Sequence, residues 1–364
     1  MSFFDFRVEL GKMTPRVALG AKLYIWGVGD NCEKIRGMFV KIFNMDIFEY
    51  IDGFLDNDYA KQGTYFFGKR VYSVSEIDPL NSVVLISIAS HKANLDVLAQ
   101  LLKLGMLQLN SVFMSDWSYN LLMRYEYERL GQFKQKHKNE RCFIIANGAS
   151  LTANDLDMLK NEVTFAVNKI FLIFDKTNWR PTYYICQEDR LFESIQDKLN
   201  NMIHCDKFYS LDTVLGLDDF SGKDFYYYKL DATHRWRPNQ KPEFSEEIAL
   251  IKLGESVTYT CIQFAAYMGF SEIYLLGADN TMTPAVKING EIVHNEYEWK
   301  HFVPNYEPTD VYMPQIDVIN AAYETAREYA DAHGIKIYNA TRGGKLEAFE
   351  RVNFDELFEV PKCE

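Results

Sequence analysis

Short runs of consecutive apolar residues, each followed at once by a glycine or amide turn, recur along the chain. They predict strands buried on both faces of parallel sheets. Leu23-Tyr24-Ile25-Trp26 leads directly into Gly27-Val28-Gly29-Asp30, and Ile51 to Asp58 is an extended run that ends in acids. Val83-Val84-Leu85-Ile86-Ser87-Ile88 is a second continuous apolar run, and Ala93 to Leu104 has helical spacing with Gly105 as its natural stop. Such β-α alternation predicts a small parallel sheet. Tyr119 to Leu130 then reads as a charged helix, and Gly131 to Arg141 is polar and basic.

A second β-α series follows. Cys142-Phe143-Ile144-Ile145-Ala146 is a strand with Asn147-Gly148-Ala149-Ser150 as its turn, and Thr164–Val167 and Tyr183–Cys186 are the next two strands. Ser256–Met268 is an apolar helix, Glu272–Leu276 a strand, Gln315–Ala332 an amphipathic helix and Lys336–Tyr338 a closing strand. The stretch from Asp279 to Gln315 has no clear period, as a functional lid would. The expectation is an α/β protein of two Rossmann-like domains with mainly parallel sheets: residues 1–120, a charged helical linker 121–140, and a catalytic domain 141–360.

Composition narrows the function classes. A net charge of −12 in 364 residues argues against sequence-independent nucleic-acid binding, which needs a basic field. Glycine loops and helix N-termini still suit a phosphate-bearing small ligand. The 15% aromatic share is expected to serve cores. Six cysteines without a CxxC pair read as free thiols in a reducing cytoplasm. Neither a signal-peptide pattern nor an apolar stretch of about 18 residues is found, which leaves a position at the inner face of a membrane as the closest association expected.

Candidate chemistry lies at the strand ends. Gly27-Val28-Gly29 resembles the opening of a dinucleotide fingerprint, but Cys32 stands where its third glycine belongs and Asp56 falls later than its acid. Both a nucleotide site and a purely structural turn remain open there. The turn Asn147-Gly148-Ala149-Ser150 follows a buried strand, where Gly148 permits close backbone approach and Ser150 can cap the next helix. Asn168 and Gln187 end the two following strands, and the three together form a base-and-ribose reader. Ser256 and Thr258 at a helix start suit a phosphate or a simple cap, and Asp279 suits a metal, a ribose or a sugar hydroxyl.

Asn147-Gly148-Ala149-Ser150-Leu151, Asn168 and the block from Ser256 through Gly277-Ala278-Asp279 resemble one bacterial superfamily. It joins the Campylobacter-type CMP-sialic acid sialyltransferases with the MptE-like (6-hydroxymethylpterin diphosphokinase-like) domains. The ending Ile337-Tyr338-Asn339-Ala340-Thr341-Arg342-Gly343-Gly344-Lys345-Leu346-Glu347 is similar to the MptE-like branch. The resemblance covers about residues 141 to 358 and implies nucleotide contacts at Asn147, Gly148, Ser150, Asn168, Gln187 and Ser256. Two features depart from the sialyltransferase pattern. Gly254-Glu255 stands where an arginine precedes the hydroxyl pair, and the lid stretch Lys300–Tyr306 holds His301 alone where two histidines belong.

The resemblance implies a cytoplasmic glycosyltransferase of surface-glycan assembly. A nucleotide-activated sugar, such as a CMP-linked nonulosonic acid, is its donor and a glycan its acceptor. His301 is expected as the base, since an imidazole titrates near pH ~6.5. Tyr306 is the candidate donor to the leaving oxygen, and His294 and His234 are the alternative bases. No cofactor or metal is required by this reading. A diphosphokinase-like phosphotransferase would instead use ATP with Mg²⁺ at Asp279, and a nucleotide-binding scaffold would need no catalysis at all.

Overall fold

The computed structural model describes residues 5–12, 14–88, 90–114, 123–124, 126–211, 224–236, 240–281, 286–288, 291–293, 301–303 and 315–358. They divide into two units, one within Met1–Arg124 and one within Tyr125–Val214 and Gly222–Glu364.

The first unit is a sheet of six strands, β1 (Lys22–Trp26), β2 (Gly53–Leu55), β3 (Tyr65–Phe66), β4 (Lys69–Tyr72), β5 (Ser82–Ile86) and β6 (Ser111–Phe113). They lie in the order β3-β4-β2-β1-β5-β6. Only the β3-β4 hairpin is antiparallel. The continuous apolar character of β1 and β5 follows from burial on both faces, because successive side chains point to opposite sides. Leu23, Ile25, Val83 and Leu85 share one core with Phe6 and Leu10 of α1 (Phe6–Gly11) and Ile35 and Phe39 of α2 (Asp30–Phe43). Tyr24, Trp26, Val84 and Ile86 share the other with Val97 and Leu101 of α3 (His91–Lys103).

The strand order reverses between β1 and β5, so the Gly27-Val28-Gly29 turn lies at a topological switch point. Gly27 needs its left-handed φ of +105°, and a Cβ there would lie 3.0 Å from the Ser87 carbonyl. Asp56 holds the turn from the end of β2. Its carboxylate accepts the Val28 amide at 3.0 Å and pairs with Lys61, whose ammonium also donates to the Val28 carbonyl. Cys32, in the third-glycine position, is buried in the core and its thiol is pushed up to about 12 by that burial.

The second unit is an all-parallel sheet of nine strands in the order β12-β11-β10-β9-β8-β7-β13-β16-β17. On one side of its first strand, β7 (Arg141–Ile145), lie β8 (Val163–Val167), β9 (Tyr183–Cys186), β10 (Asp206–Ser210), β11 (Phe225–Asp231) and β12 (Leu250–Lys252). On the other lie β13 (Glu272–Leu276), β16 (Lys336–Asn339) and β17 (Glu350–Arg351). Helices α4 (Ala153–Met158), α5 (Asp189–Met202), α6 (Val257–Met268) and α7 (Ile316–His333) belong to the same unit. The sheet's growth reverses at β7 and β13, which makes their carboxyl ends the natural ligand crevice. Within the stretch that has no sequence period, β14 (Val286–Ile288) and β15 (Glu291–Val293) form an antiparallel pair. Among the described residues no helix is long and apolar enough to cross a membrane.

Residues 126–140, expected as a charged linker, pack as part of this unit. The Glu126 side chain is buried, accepts the Tyr227 amide at 3.1 Å and pairs with Arg129 at 2.6 Å. Burial raises its carboxyl above the ordinary range even though Arg129 and the amide pull the other way. Phe133 packs edge-on to Phe208 and Tyr226, with centroids 5.0 and 4.9 Å away. Charge in the sequence marks a surface but not a free tether; the few apolar residues among the charges decide the packing. The Phe133 ring is buried, so Phe133→Ala should cost about 3–5 kcal/mol of unfolding free energy in a denaturant titration. A loss below ~1 kcal/mol would mean that this segment is not integral to the unit.

Candidate functional site

At the carboxyl end of β7 the chain turns through Ala146 to Ser150 and interlocks with the loop that leaves β13. The Ala146 amide donates to the Leu276 carbonyl and the Gly148 amide to the Gly277 carbonyl, each at 2.9 Å. Asp279 closes the lock, since one of its carboxylate oxygens accepts the Ser150 amide at 3.0 Å. A Cβ on Gly148 would stand 2.2 Å from that same oxygen, and Gly277 (φ +68°) brings its own missing Cβ within 2.7 Å of the Ala146 carbonyl. Two glycines are therefore what allow the two loops to touch.

Ser150 differs from its expected role. The short helix α4 is capped by Thr152, in a reciprocal box with Asp155, and the Ser150 amide is already engaged by Asp279. The Ser150 hydroxyl oxygen is buried without a hydrogen-bond partner among the described residues. The Thr-x-x-Asp spacing is the better capping signal and wins the helix start.

The neighbouring strand ends are tied to this turn. The Asn147 amide group donates to the Val167 carbonyl at 3.1 Å, linking β7 to β8. Asn168 adopts a left-handed φ of +50°, and its carbonyl accepts the Tyr184 hydroxyl at 2.7 Å. The Gln187 side chain accepts the Thr260 hydroxyl at 2.7 Å, which joins the end of β9 to α6. Ser256 precedes α6 in extended conformation, yet its hydroxyl makes no cap bond and meets the Tyr323 hydroxyl of α7 at 3.1 Å. Burial raises the Tyr323 pKa, and the neighbouring hydroxyls of Ser256 and Thr258 pull the other way. The helix start is thus a hydroxyl cluster rather than a capped terminus.

Glu255 stands just before that cluster in a left-handed conformation (φ +56°), which costs a non-glycine residue about 1 kcal/mol or more. Its buried carboxylate forms a two-pronged pair with Arg235, with both N–O distances 2.6 Å. The sequence places no arginine beside the hydroxyl pair, but the fold delivers Arg235 from the turn after β11 (Thr233–Trp236). No local signal could have found it, because the pairing spans the intervening β12 segment.

His301 lies against the turn after β7. Gly148 and His301 form an antiparallel bridge, and the Asn147 carbonyl accepts His301 Nδ1–H at 3.0 Å and the Phe302 amide at 3.3 Å. A carbonyl can only accept, so the neutral ring carries its proton on Nδ1 and its lone pair on Nε2. Burial lowers the His301 pKa below its ordinary value; the Asn147 bond opposes this, Lys169 adds to it and Asp279 opposes it. The structure therefore gathers Asn147, Gly148, Ser150, Asp279 and His301 at one switch point. Asn168, Gln187, Ser256 and Thr258 line the ends of β8 and β9 and the start of α6. Tyr306 and His294 lie outside the described residues, and His234 belongs to the turn after β11.

Residues 115–284 match the family model described as 6-hydroxymethylpterin diphosphokinase MptE-like. The match takes in every strand end from Asn147 to Asp279 and stops short of His301. Among solved structures, the chain is similar to the sialyltransferase CstII from Campylobacter jejuni, determined in complex with a substrate analogue, cytidine 5'-monophosphate. The identity is 14% and the TM-score 0.37, over 59% of this chain and 86% of that one. No curated protein matches the chain.

Gly148→Ala should destabilise the second unit by about 1–3 kcal/mol, because neither the Asp279 carboxylate nor the Gly277 backbone can withdraw freely. Equal melting temperatures for variant and wild type would show that the two loops are not locked as described. The depressed His301 pKa carries a pH signature as well. Folding favours the neutral ring, so its contribution is fully present above the unfolded pKa of about 6.5 and is lost as pH falls towards the lower folded value. Wild type should lose stability relative to the non-titrating His301→Asn in that window, and parallel stability–pH curves would contradict the assignment.

Proposed function

We propose that the second unit is a nucleotide-dependent transferase that moves a sugar from a nucleotide-activated donor to a glycan acceptor in surface-glycan assembly, with a CMP-linked nonulosonic acid as the donor class. The observation that carries this reading is the His301–Asn147 contact: a neutral, tautomer-fixed imidazole beside a glycine turn at the sheet's switch point. Support for the nucleotide comes from the amide groups of Asn147, Asn168 and Gln187 at three successive strand ends, a chemistry suited to a pyrimidine edge and a ribose.

In the proposed reaction His301 Nε2 accepts the proton of an acceptor hydroxyl as that oxygen attacks the donor's anomeric carbon. The bond from that carbon to the nucleotide's phosphate oxygen breaks, and the nucleotide leaves with the electron pair. The ring needs no deprotonation first, because burial keeps it neutral at pH 7. The Asn147 carbonyl stabilises the imidazolium that forms, since its bond to Nδ1–H strengthens as the ring gains charge. Arg235 neutralises the Glu255 carboxylate just before α6, so that this acid does not oppose the leaving phosphate proposed to lie at Ser256 and Thr258. Tyr306 remains the candidate donor to the departing oxygen.

A phosphotransferase reading has one observation in its favour, the diphosphokinase description of the matching family. Mg²⁺ binds through one or two carboxylates together with phosphate oxygens, and Asp279 would hold it here. The metal's chemistry would be charge neutralisation on a transferred phosphoryl group.

A melting panel of CMP, CDP, UDP and ATP, with and without Mg²⁺, separates the two. CMP or CDP should stabilise most, by about 2.7 kcal/mol at a hundredfold excess over Kd. A shift with ATP and Mg²⁺ alone would favour the kinase reading. His301→Ala should lower turnover by ~10²–10⁴-fold with little change in donor affinity, and should remove the acidic limb of the rate–pH profile. Near wild-type turnover per folded molecule would place the base elsewhere.

A further inference from the structure

The Thr341-Arg342-Gly343-Gly344-Lys345 loop leaves the carboxyl end of β16, the strand next to β13, and the reaction proposed above makes no use of it. Its carbonyls are gathered by one side chain. Arg351 donates to the carbonyls of Thr341 at 3.4 Å, Gly343 at 2.7 Å, Gly344 at 3.3 Å and Leu346 at 3.2 Å. In a planar trans peptide the following N–H points opposite to the carbonyl. The amides of Arg342, Gly344 and Lys345 must therefore face away from Arg351. Of these, the Lys345 amide donates to the Asp279 backbone carbonyl at 2.7 Å. The Lys345 amide thus faces the loop that leaves β13.

The approach is close by construction. Gly344 (φ +75°) would carry a Cβ 2.6 Å from the Asp279 carbonyl oxygen, so only glycine brings this backbone so near. Among the described residues, the Arg342 and Gly344 amides have no protein acceptor. The Arg342 guanidinium is committed to Asp155 and Asp355, each at 2.7 Å. Lys345 is exposed and is the loop's remaining cation. Asp155 and Asp355 are neutralised by Arg342, Glu347 pairs with Arg351 at 3.0 Å, and the Asp279 carboxylate is held on the Ser150 amide at 3.0 Å.

We propose that this loop is an anion subsite of the switch-point site, in which the amides of Arg342 and Gly344 and the Lys345 ammonium hold an acid group of the bound ligand. Two sources share this chemistry: the second phosphate of a nucleoside diphosphate, or the carboxylate of a CMP-linked sugar acid. The proposal rests on the nucleotide reading for the rest of the ligand, but the loop can be tested apart from it. Arg351 is then a positioning residue, acting by aligning the peptide groups without touching the ligand.

Calorimetry with CMP, CDP, a CMP-linked sugar acid and inorganic pyrophosphate decides the matter, using full-length wild type, Lys345→Gln and Arg351→Gln. Loss of one charge-assisted contact corresponds to about tenfold in affinity. Lys345→Gln should lose about tenfold for CDP or for the sugar acid and bind CMP as wild type does. Which of the two ligands suffers identifies the source of the acid group. Arg351→Gln should reproduce that selective loss; equal affinities of all three proteins for CDP and the sugar acid would overturn the proposal. If CMP fails to bind at all, the nucleotide reading falls and pyrophosphate judges the loop alone. Binding to wild type that drops about tenfold in Lys345→Gln supports the subsite, whereas equal or absent binding overturns it.

Discussion

The bond between the Asp279 carboxylate and the Ser150 amide is the constraint on which the second unit's site depends. It joins the two loops that flank the point where the sheet reverses its growth, and it forms only because Gly148 and Gly277 have no side chains. With those loops fixed, the Asn147 carbonyl is presented to His301 and Phe302, and the Asp279 backbone carbonyl is presented to Lys345. One carboxylate thus organises His301 on one side and the glycine loop on the other. A buried acid in such a place is favourable because an amide donor satisfies it, and an unsatisfied one would cost several kcal/mol.

The first unit solves the same problem in the same way. There the turn after β1 presents the Val28 amide, and Asp56 at the end of the adjacent β2 accepts it at 3.0 Å. In both units an acid from a neighbouring strand end holds the turn after the first strand. The surroundings then diverge. Asp56 is paired with Lys61, which also binds the Val28 carbonyl, and α2 opens with the acids Asp30 and Glu33. That is a poor electrostatic setting for a phosphate, since acids at a helix start oppose an incoming anion. In the second unit the opening of α6 carries hydroxyls and the Arg235–Glu255 pair instead.

Polar groups inside the second unit are organised through hydroxyls. Tyr323 of α7 is buried, and its phenol bonds the Ser256 hydroxyl at the start of α6. Thr260, one turn further along α6, bonds Gln187. Each bond joins elements distant in sequence, so the helix start is held by tertiary contacts rather than by a local cap. Networks of this kind favour a single arrangement, because any slip leaves several buried groups unpaired at once.

The sequence by itself determined the alternation of strands and helices, the parallel sheets and the positions of the main strand-end turns. Apolar runs such as Cys142–Ile145 and Val83–Ile86 report burial on both faces, a property of the local chain. Asn147, Gly148, Ser150 and Asp279 were legible as site candidates because a residue that ends a parallel strand must lie at the sheet's ligand edge. Other features were decided only by tertiary structure. The strands β10 and β12 carry mixed residues without a clear run, and are strands because neighbours pair with them. Residues 126–140 read as a tether, but Glu126 and Phe133 commit them to the sheet's packing. Arg235 meets Glu255, and Arg351 gathers the carbonyls of the Thr341–Lys345 loop, across separations that no periodicity encodes. Local sequence fixes where a strand ends, because backbone pairing and side-chain alternation are short-ranged. Which side chains then meet above those ends depends on the sheet order, and that exists only once the whole unit has folded.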